Sequence, residues 1–118
     1  GVDEKVFKSL ELSYDFLDSD EAKKCILLCS LYPEDFHIPI EDLVRYVFGI
    51  ELFERIDSVH QASKRVHSLV DDLKKCYLLM EGKHEYMLEG SKYVECIKMH
   101  DVVRDVAISI ASSEEHSF

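Results

Sequence analysis

The chain has 118 residues, of which 47% are hydrophobic, and it carries a formal net charge of -10. That length suits one globular domain with a modest core, and the acidic balance opposes a nucleic-acid backbone as partner, because phosphate binding needs clustered positive charge. No apolar run approaches the roughly 20 residues needed to span a bilayer, and no charged-then-apolar signal peptide opens the chain.

The first residues, Gly1-Val2-Asp3-Glu4, read as an excised boundary, so a piece of a larger protein is expected. Glu4 to Leu17 reads as a helix, with Val6, Leu10, Tyr14 and Leu17 on one face. Asp18, Ser19 and Asp20 break that pattern and can cap the next helix, which runs from about Glu21 to Leu31. Ile26, Leu27, Leu28 and Leu31 make that helix apolar nearly all round, which places it centrally in the core. Pro33 ends it, since proline disfavours helical geometry in the residue before it.

Phe36, Ile38 and Ile40 alternate with His37 and Pro39, the pattern of a short strand. A third helix follows from about Glu41 to Phe48, and Gly49 stops it. Ile50 to Asp57 is a connection with room for one helical turn. Ser58-Val59-His60-Gln61 matches a capping box, in which serine and glutamine satisfy free amides reciprocally. The helix it starts runs to about Lys75, with Val59, Ala62, Val66, Leu69, Val70 and Leu73 as its buried stripe and Lys64 and Arg65 on a solvated face. Cys76 to Met80 reads as an apolar strand, Gly82 and Gly90 punctuate a polar hairpin, and Tyr93 to Lys98 reads as the returning strand. Val102 to Ala111 is a last amphipathic helix.

The fold class is therefore mostly α, a winged-helix domain. It is a helical bundle with a short strand and a β-hairpin wing (Cys76 to Met99), plus flanking helices. Cys25, Cys29, Cys76 and Cys96 lack C-x-x-C spacing and a histidine at ligand spacing, so they read as buried free thiols in a reducing compartment. Cys25, Cys29 and Leu31 are assigned to the core. No metal site and no catalytic set emerges. Six histidines are scattered, and no serine sits in a nucleophile elbow.

Met99-His100-Asp101 lies between the last strand and the last helix. Such a junction can present an imidazole to a ligand while Asp101, as a helix cap, accepts from the amide of Val103 or Arg104. Met99 packs beneath it. Arg104 is open to a phosphate contact or to an ion pair with Asp101 or Asp105.

Two segments resemble one family. Leu10-Glu11-Leu12-Ser13-Tyr14-Asp15-Phe16-Leu17, followed by Cys25-Ile26-Leu27-Leu28-Cys29-Ser30-Leu31-Tyr32-Pro33-Glu34-Asp35, is similar to the region that opens the winged-helix (ARC2) subdomain of plant NB-ARC leucine-rich-repeat resistance proteins of the coiled-coil type. Met99-His100-Asp101-Val102-Val103-Arg104-Asp105 looks like the MHD signature that closes it. The resemblance covers about Val6 to Ser112. The family often carries tryptophan near Tyr46, and this chain has none, which reads as substitution within the core.

The resemblance implies that residues 1–118 form one ARC2 subdomain of a cytoplasmic immune receptor. In it His100 contacts the β-phosphate of ADP and Met99, His100 and Asp101 form a switch. Asp35 lies near an interface with neighbouring subdomains, and Arg104 is the other interface candidate. The implied partners are the nucleotide-binding, ARC1 and leucine-rich-repeat domains of the same chain, and other receptor protomers on activation. ADP or ATP belongs to the full-length parent only. This chain has no G-x-x-x-x-G-K-S/T loop, so it is expected to bind neither nucleotide firmly and not to be an enzyme by itself. Two rival readings are a DNA-binding winged helix, which the charge opposes, and a winged helix serving only as an assembly surface.

Overall fold

The computed structural model describes residues 3–83, 85, 86 and 93–113. Its elements in chain order are α1 (Glu4–Asp15), α2 (Asp20–Cys29), β1 (Ile38–Pro39), α3 (Ile40–Gly49), α4 (Val59–Lys75), β2 (Met80–Glu81), β3 (Glu85–Tyr86), β4 (Tyr93–Val94), β5 (Cys96–Lys98) and α5 (Asp101–Ser113). Among the described residues, five helices surround a small antiparallel sheet of order β1-β5-β2, a mostly α, winged-helix-like fold. The tip of the expected hairpin lies outside the described residues.

The sheet is short but central. Ile38 pairs with Ile97 and Pro39 with Cys96 on one side of β5, while Met80 pairs with Lys98 and Glu81 with Ile97 on the other. Ile38 and Ile97 are both fully buried, so this register puts two apolar side chains into the core. Beyond the ladder, Gly82 donates its amide to the Cys96 carbonyl at 2.9 Å. A Cβ on Gly82 would sit 3.0 Å from the carbonyl carbons of Cys96 and Ile97, so only glycine allows this approach.

Helix α2 supplies the middle of the core. Cys25 through Cys29 are all buried, and each fully buried aliphatic chain stabilises the fold by about 1.5–3 kcal/mol. Ser19 starts the helix by accepting from the Ala22 amide at 3.1 Å. Helices α1 and α5 pack on one another: Leu10 and Tyr14 meet Val103, Val106, Ala107 and Ile110 over Ile26. On α1 it is Phe7 that packs against the core, while Val6 is exposed, one position away from the expected stripe. The first and last helices thus form one layer across the bundle.

Helix α4 starts at Ser58, whose Oγ accepts from the Gln61 amide at 3.2 Å. The return arm of the box differs from expectation: Gln61 Oε1 accepts from the Asp57 amide at 2.6 Å, one residue before the cap. Ala62, Val66, Val70 and Leu73 are buried, but Val59 in the first turn is exposed.

Both α3 and α4 end in the same way, and neither uses glycine. After α3, the Leu52 amide donates back to the Val47 carbonyl at 3.0 Å and Glu51 takes φ 51°. After α4, Leu78 donates to the Leu73 carbonyl at 3.0 Å and Tyr77 takes φ 62°. This is the Schellman closure, whose left-handed residue is usually glycine. Gly49, expected to stop α3, is instead its last helical residue. The α4 closure also corrects the expected strand at 76–80. Cys76 caps the helix, the chain reverses at Tyr77 to drive Leu78 and Leu79 into the core, and the strand begins only at Met80.

Tyr77 is 87% exposed, so its own side chain gains no packing from the left-handed geometry. Tyr77→Gly should therefore raise unfolding stability in urea by roughly 0.5–1 kcal/mol, after allowing for the greater freedom of glycine in the unfolded chain. Gly82→Ala should lower it, because the Cβ meets the β5 backbone at Cys96 and Ile97; an unchanged midpoint would contradict the close approach.

Candidate functional site: the strand-helix junction and the turn beneath it

Strand β5 delivers Met99 into the core and His100 to the surface. The His100 carbonyl accepts the Arg104 amide at 2.9 Å, the first bond of α5, so His100 occupies the cap position. Its Nδ1 lies 3.2 Å from the Val102 amide and 2.8 Å from Asp101 Oδ1, and the imidazole is 56% exposed. Asp101 is the first helical residue. Its Oδ1 accepts from the adjacent Val102 amide at 2.9 Å, in place of the expected bond to Val103 or Arg104. The physical reason is position. A carboxylate already inside the helix cannot reach over its own turn, so the residue before it does the capping. Asp101 still sits at the positive end of the helix dipole.

Among the described residues, Arg104 forms no ion pair with Asp101 or Asp105. Its Nε–H donates to the Tyr32 carbonyl at 3.0 Å, across 72 positions of sequence. Asp35 lies in the same turn with φ 61°, and its Oδ1 is 3.6 Å from Lys98 Nζ. The two motif segments, Tyr32-Pro33-Glu34-Asp35 and Lys98 to Arg104, therefore meet face to face.

The turn borders an exposed apolar groove of about 430 Å³, lined by Leu28, Leu31, Tyr32, Pro33, Tyr46 and Ile50. Leu31 is 67% exposed and Tyr46 52%, so both leave the core to which their sequence context assigned them. They line the groove near the C-terminal ends of α2 and α3. The Tyr32 ring stacks on Phe36 at 5.4 Å and meets Tyr46 edge-on at 6.4 Å. Its hydroxyl oxygen is buried without a hydrogen-bond partner among the described residues. Burial, then the negative charge of Asp42, pushes the phenol well above its ordinary range.

Arg65 was assigned to a solvated face and is in fact a tie between elements. Its guanidinium pairs with Glu21 of α2, donates to the Glu54 carbonyl at 2.6 Å and lies 5.6 Å over the Phe53 ring. Nothing in the local pattern distinguishes it from Lys64, since its partners lie 11 and 44 residues away. All four cysteines are free thiols; Cys25, Cys29 and Cys96 are buried, and Cys76 is exposed at the end of α4. A hydrogen bond with Cys25, together with burial, raises the Cys29 thiol well above its ordinary value, which keeps it protonated and inert. Among the described residues, no group of three His, Cys, Asp or Glu side chains could hold a metal, and no helix is long and apolar enough to cross a membrane.

Comparison with known proteins gives a consistent result. The chain is 40% identical over 115 residues, 98% of its length, to disease resistance protein At4g27190 of Arabidopsis thaliana. It is 33% identical over 112 residues to disease resistance protein RFL1 and 34% identical over 109 residues to disease resistance protein SUMM2, both of the same organism. The chain is homologous to a segment of plant disease resistance proteins. It spans only 11% of the length of At4g27190 and SUMM2 and 12% of RFL1. No family model matches it. Within this chain, the turn at Asp35 and the junction that carries His100 are joined in space.

Because the Tyr32 hydroxyl has no partner among the described residues, Tyr32→Phe should leave stability at pH 7 unchanged or raise it by up to about 1 kcal/mol. The raised phenol fixes the sign of the alkaline response. The folded state holds its proton above about pH 10, where the unfolded chain loses it. Stability conferred by the neutral phenol is present below that pH and falls as pH rises beyond it. Denaturant midpoints across that range should therefore fall less steeply in Tyr32→Phe than in the parent sequence; identical slopes would contradict this.

Proposed function

We propose that this segment is the regulatory winged-helix (ARC2) subdomain of an NB-ARC module, in which His100 senses whether the parent receptor holds ADP or ATP. The observation that carries the reading is the half-exposed His100 imidazole at the end of β5, at the position of the MHD histidine. Its Nδ1 is engaged at the start of α5, which leaves Nε2 for an anion presented from outside.

The residues suit a single contact and no more. The described glycines, Gly49 at the end of α3 and Gly82 packed on the β5 backbone, form no phosphate cradle. Other domains of the parent would hold the nucleotide, and His100 would add one donor to its β-phosphate. A hydrogen bond to a charged group contributes about 1.5–3 kcal/mol, which shifts a closed-to-open balance roughly tenfold to a hundredfold. With that contact made, the subdomain would stay packed on the nucleotide-binding and ARC1 domains and hold the receptor off. With it lost, the subdomain would turn as a rigid body and expose surface for assembly with other protomers inside the cell. Likeness to resistance proteins supports a role in plant defence, and the motif order supports this place in the switch.

The deciding experiment is His100→Ala in the full-length parent loaded with ADP. ADP release should quicken by about tenfold or more; unchanged retention would remove the reading. By calorimetry the 118-residue chain alone should show no heat with ADP or ATP, and micromolar binding would contradict the subdomain assignment. Asp101→Val in the parent should raise basal signalling, because it removes the carboxylate beside Nδ1 and the Val102 amide; a folded, silent variant that retains its ADP would count against it.

A further inference from the structure

The local contacts of His100 do not fix its bearing on the rest of the domain. Among the described residues, Nδ1 contacts the Val102 amide and Asp101, both of which move with the start of α5. Beyond the β5 ladder and the burial of Met99, two polar side-chain ties reach outward, and both end on the same turn. Before His100, Lys98 Nζ lies 3.6 Å from Asp35 Oδ1. After it, Arg104 donates its backbone amide to the His100 carbonyl at 2.9 Å and its side-chain Nε–H to the Tyr32 carbonyl at 3.0 Å.

The two ties are unequal. The Asp35 side chain is 75% exposed, so its pairing with Lys98 is screened and weak. Arg104 is half-buried and its bond is directional, which makes it the main restraint. The turn it grips is itself braced. The Tyr32 amide donates to the Cys29 carbonyl at 3.2 Å, the Phe36 amide donates to the Pro33 carbonyl at 3.2 Å, and the Tyr32 and Phe36 rings stack. A continuous path thus runs from buried α2 through Tyr32 and Arg104 to the His100 peptide.

We infer that Arg104 is a positioning residue, which aims His100 by anchoring the start of α5 to the 32–35 turn and does not itself touch phosphate. The inference rests on the reading of His100 as the group that faces the nucleotide. It assigns the first motif a physical task, that of a fixed post against which the second is set. It also separates Arg104 from a direct phosphate ligand, the alternative its charge invites.

Two measurements test it. In the 118-residue chain, backbone 15N relaxation should show lower order parameters at residues 99–102 in Arg104→Ala, with no loss in the neighbouring Asp105→Ala; unchanged order in a folded Arg104→Ala would overturn the anchoring. In the ADP-loaded parent, Arg104→Ala should speed ADP release severalfold in the presence of His100 and have no further effect in a His100→Ala background. Equal acceleration in both backgrounds would overturn the inference and make Arg104 a phosphate contact in its own right. Should His100→Ala leave ADP release unchanged, the nucleotide reading alone would fail. The relaxation result would still decide whether Arg104 holds the junction.

Discussion

The fold depends on the seating of β5 between β1 and β2. The strand has three residues, yet it pairs with β1, nearly 60 positions earlier in sequence, and with β2, and closes the wing against the helical half. Its middle residue, Ile97, is fully buried opposite Ile38, so a slip of one position would expose that pair and turn the neighbouring chains inward. The same register fixes where the chain leaves the sheet. Met99 goes down and His100 goes out because side chains alternate along a strand.

A second constraint is polar and lies at the surface of that core. The 32–35 turn and the 98–104 junction are joined by one directional bond and one screened ion pair. Neither matches the burial of Ile97 or Leu43 in free energy, but they act on orientation, which hydrophobic burial leaves loose. Arg65 has a similar part on the opposite side, tying α4 to α2 and to the 50–57 connection. Long cations thus link elements whose apolar faces are already packed.

Much of this was legible from residue order, because it is local. The caps at Ser19 and Ser58, the apolar girth of α2, the Ala62 to Leu73 stripe and the strand-to-helix change at His100 follow from spacing of three, four or two residues. What misled was the assumption that apolar means buried and glycine means stop. Leu31 lies just past the end of α2 and Tyr46 lies on α3, and both line an open groove, so they remain exposed. Position makes Gly49 the natural stop, yet the left-handed conformation falls to Glu51, and a second to Tyr77. There the burial of Leu52 and Leu78 outweighs the local backbone preference.

The sequence by itself determined the helices, the caps at Ser19 and Ser58, the absence of a phosphate loop and the order of the two motif segments. Periodicity and capping act within one turn of chain, and a loop motif is contiguous. Tertiary structure alone decided that Arg104 bonds to Tyr32, that Lys98 faces Asp35, that α1 lies on α5, and that His100 rather than Asp101 occupies the cap position. Most of those pairings join residues more than 60 positions apart, and the cap turns on a single residue's register at the end of β5. No spacing rule encodes either, because both are fixed only when the core brings distant backbones together.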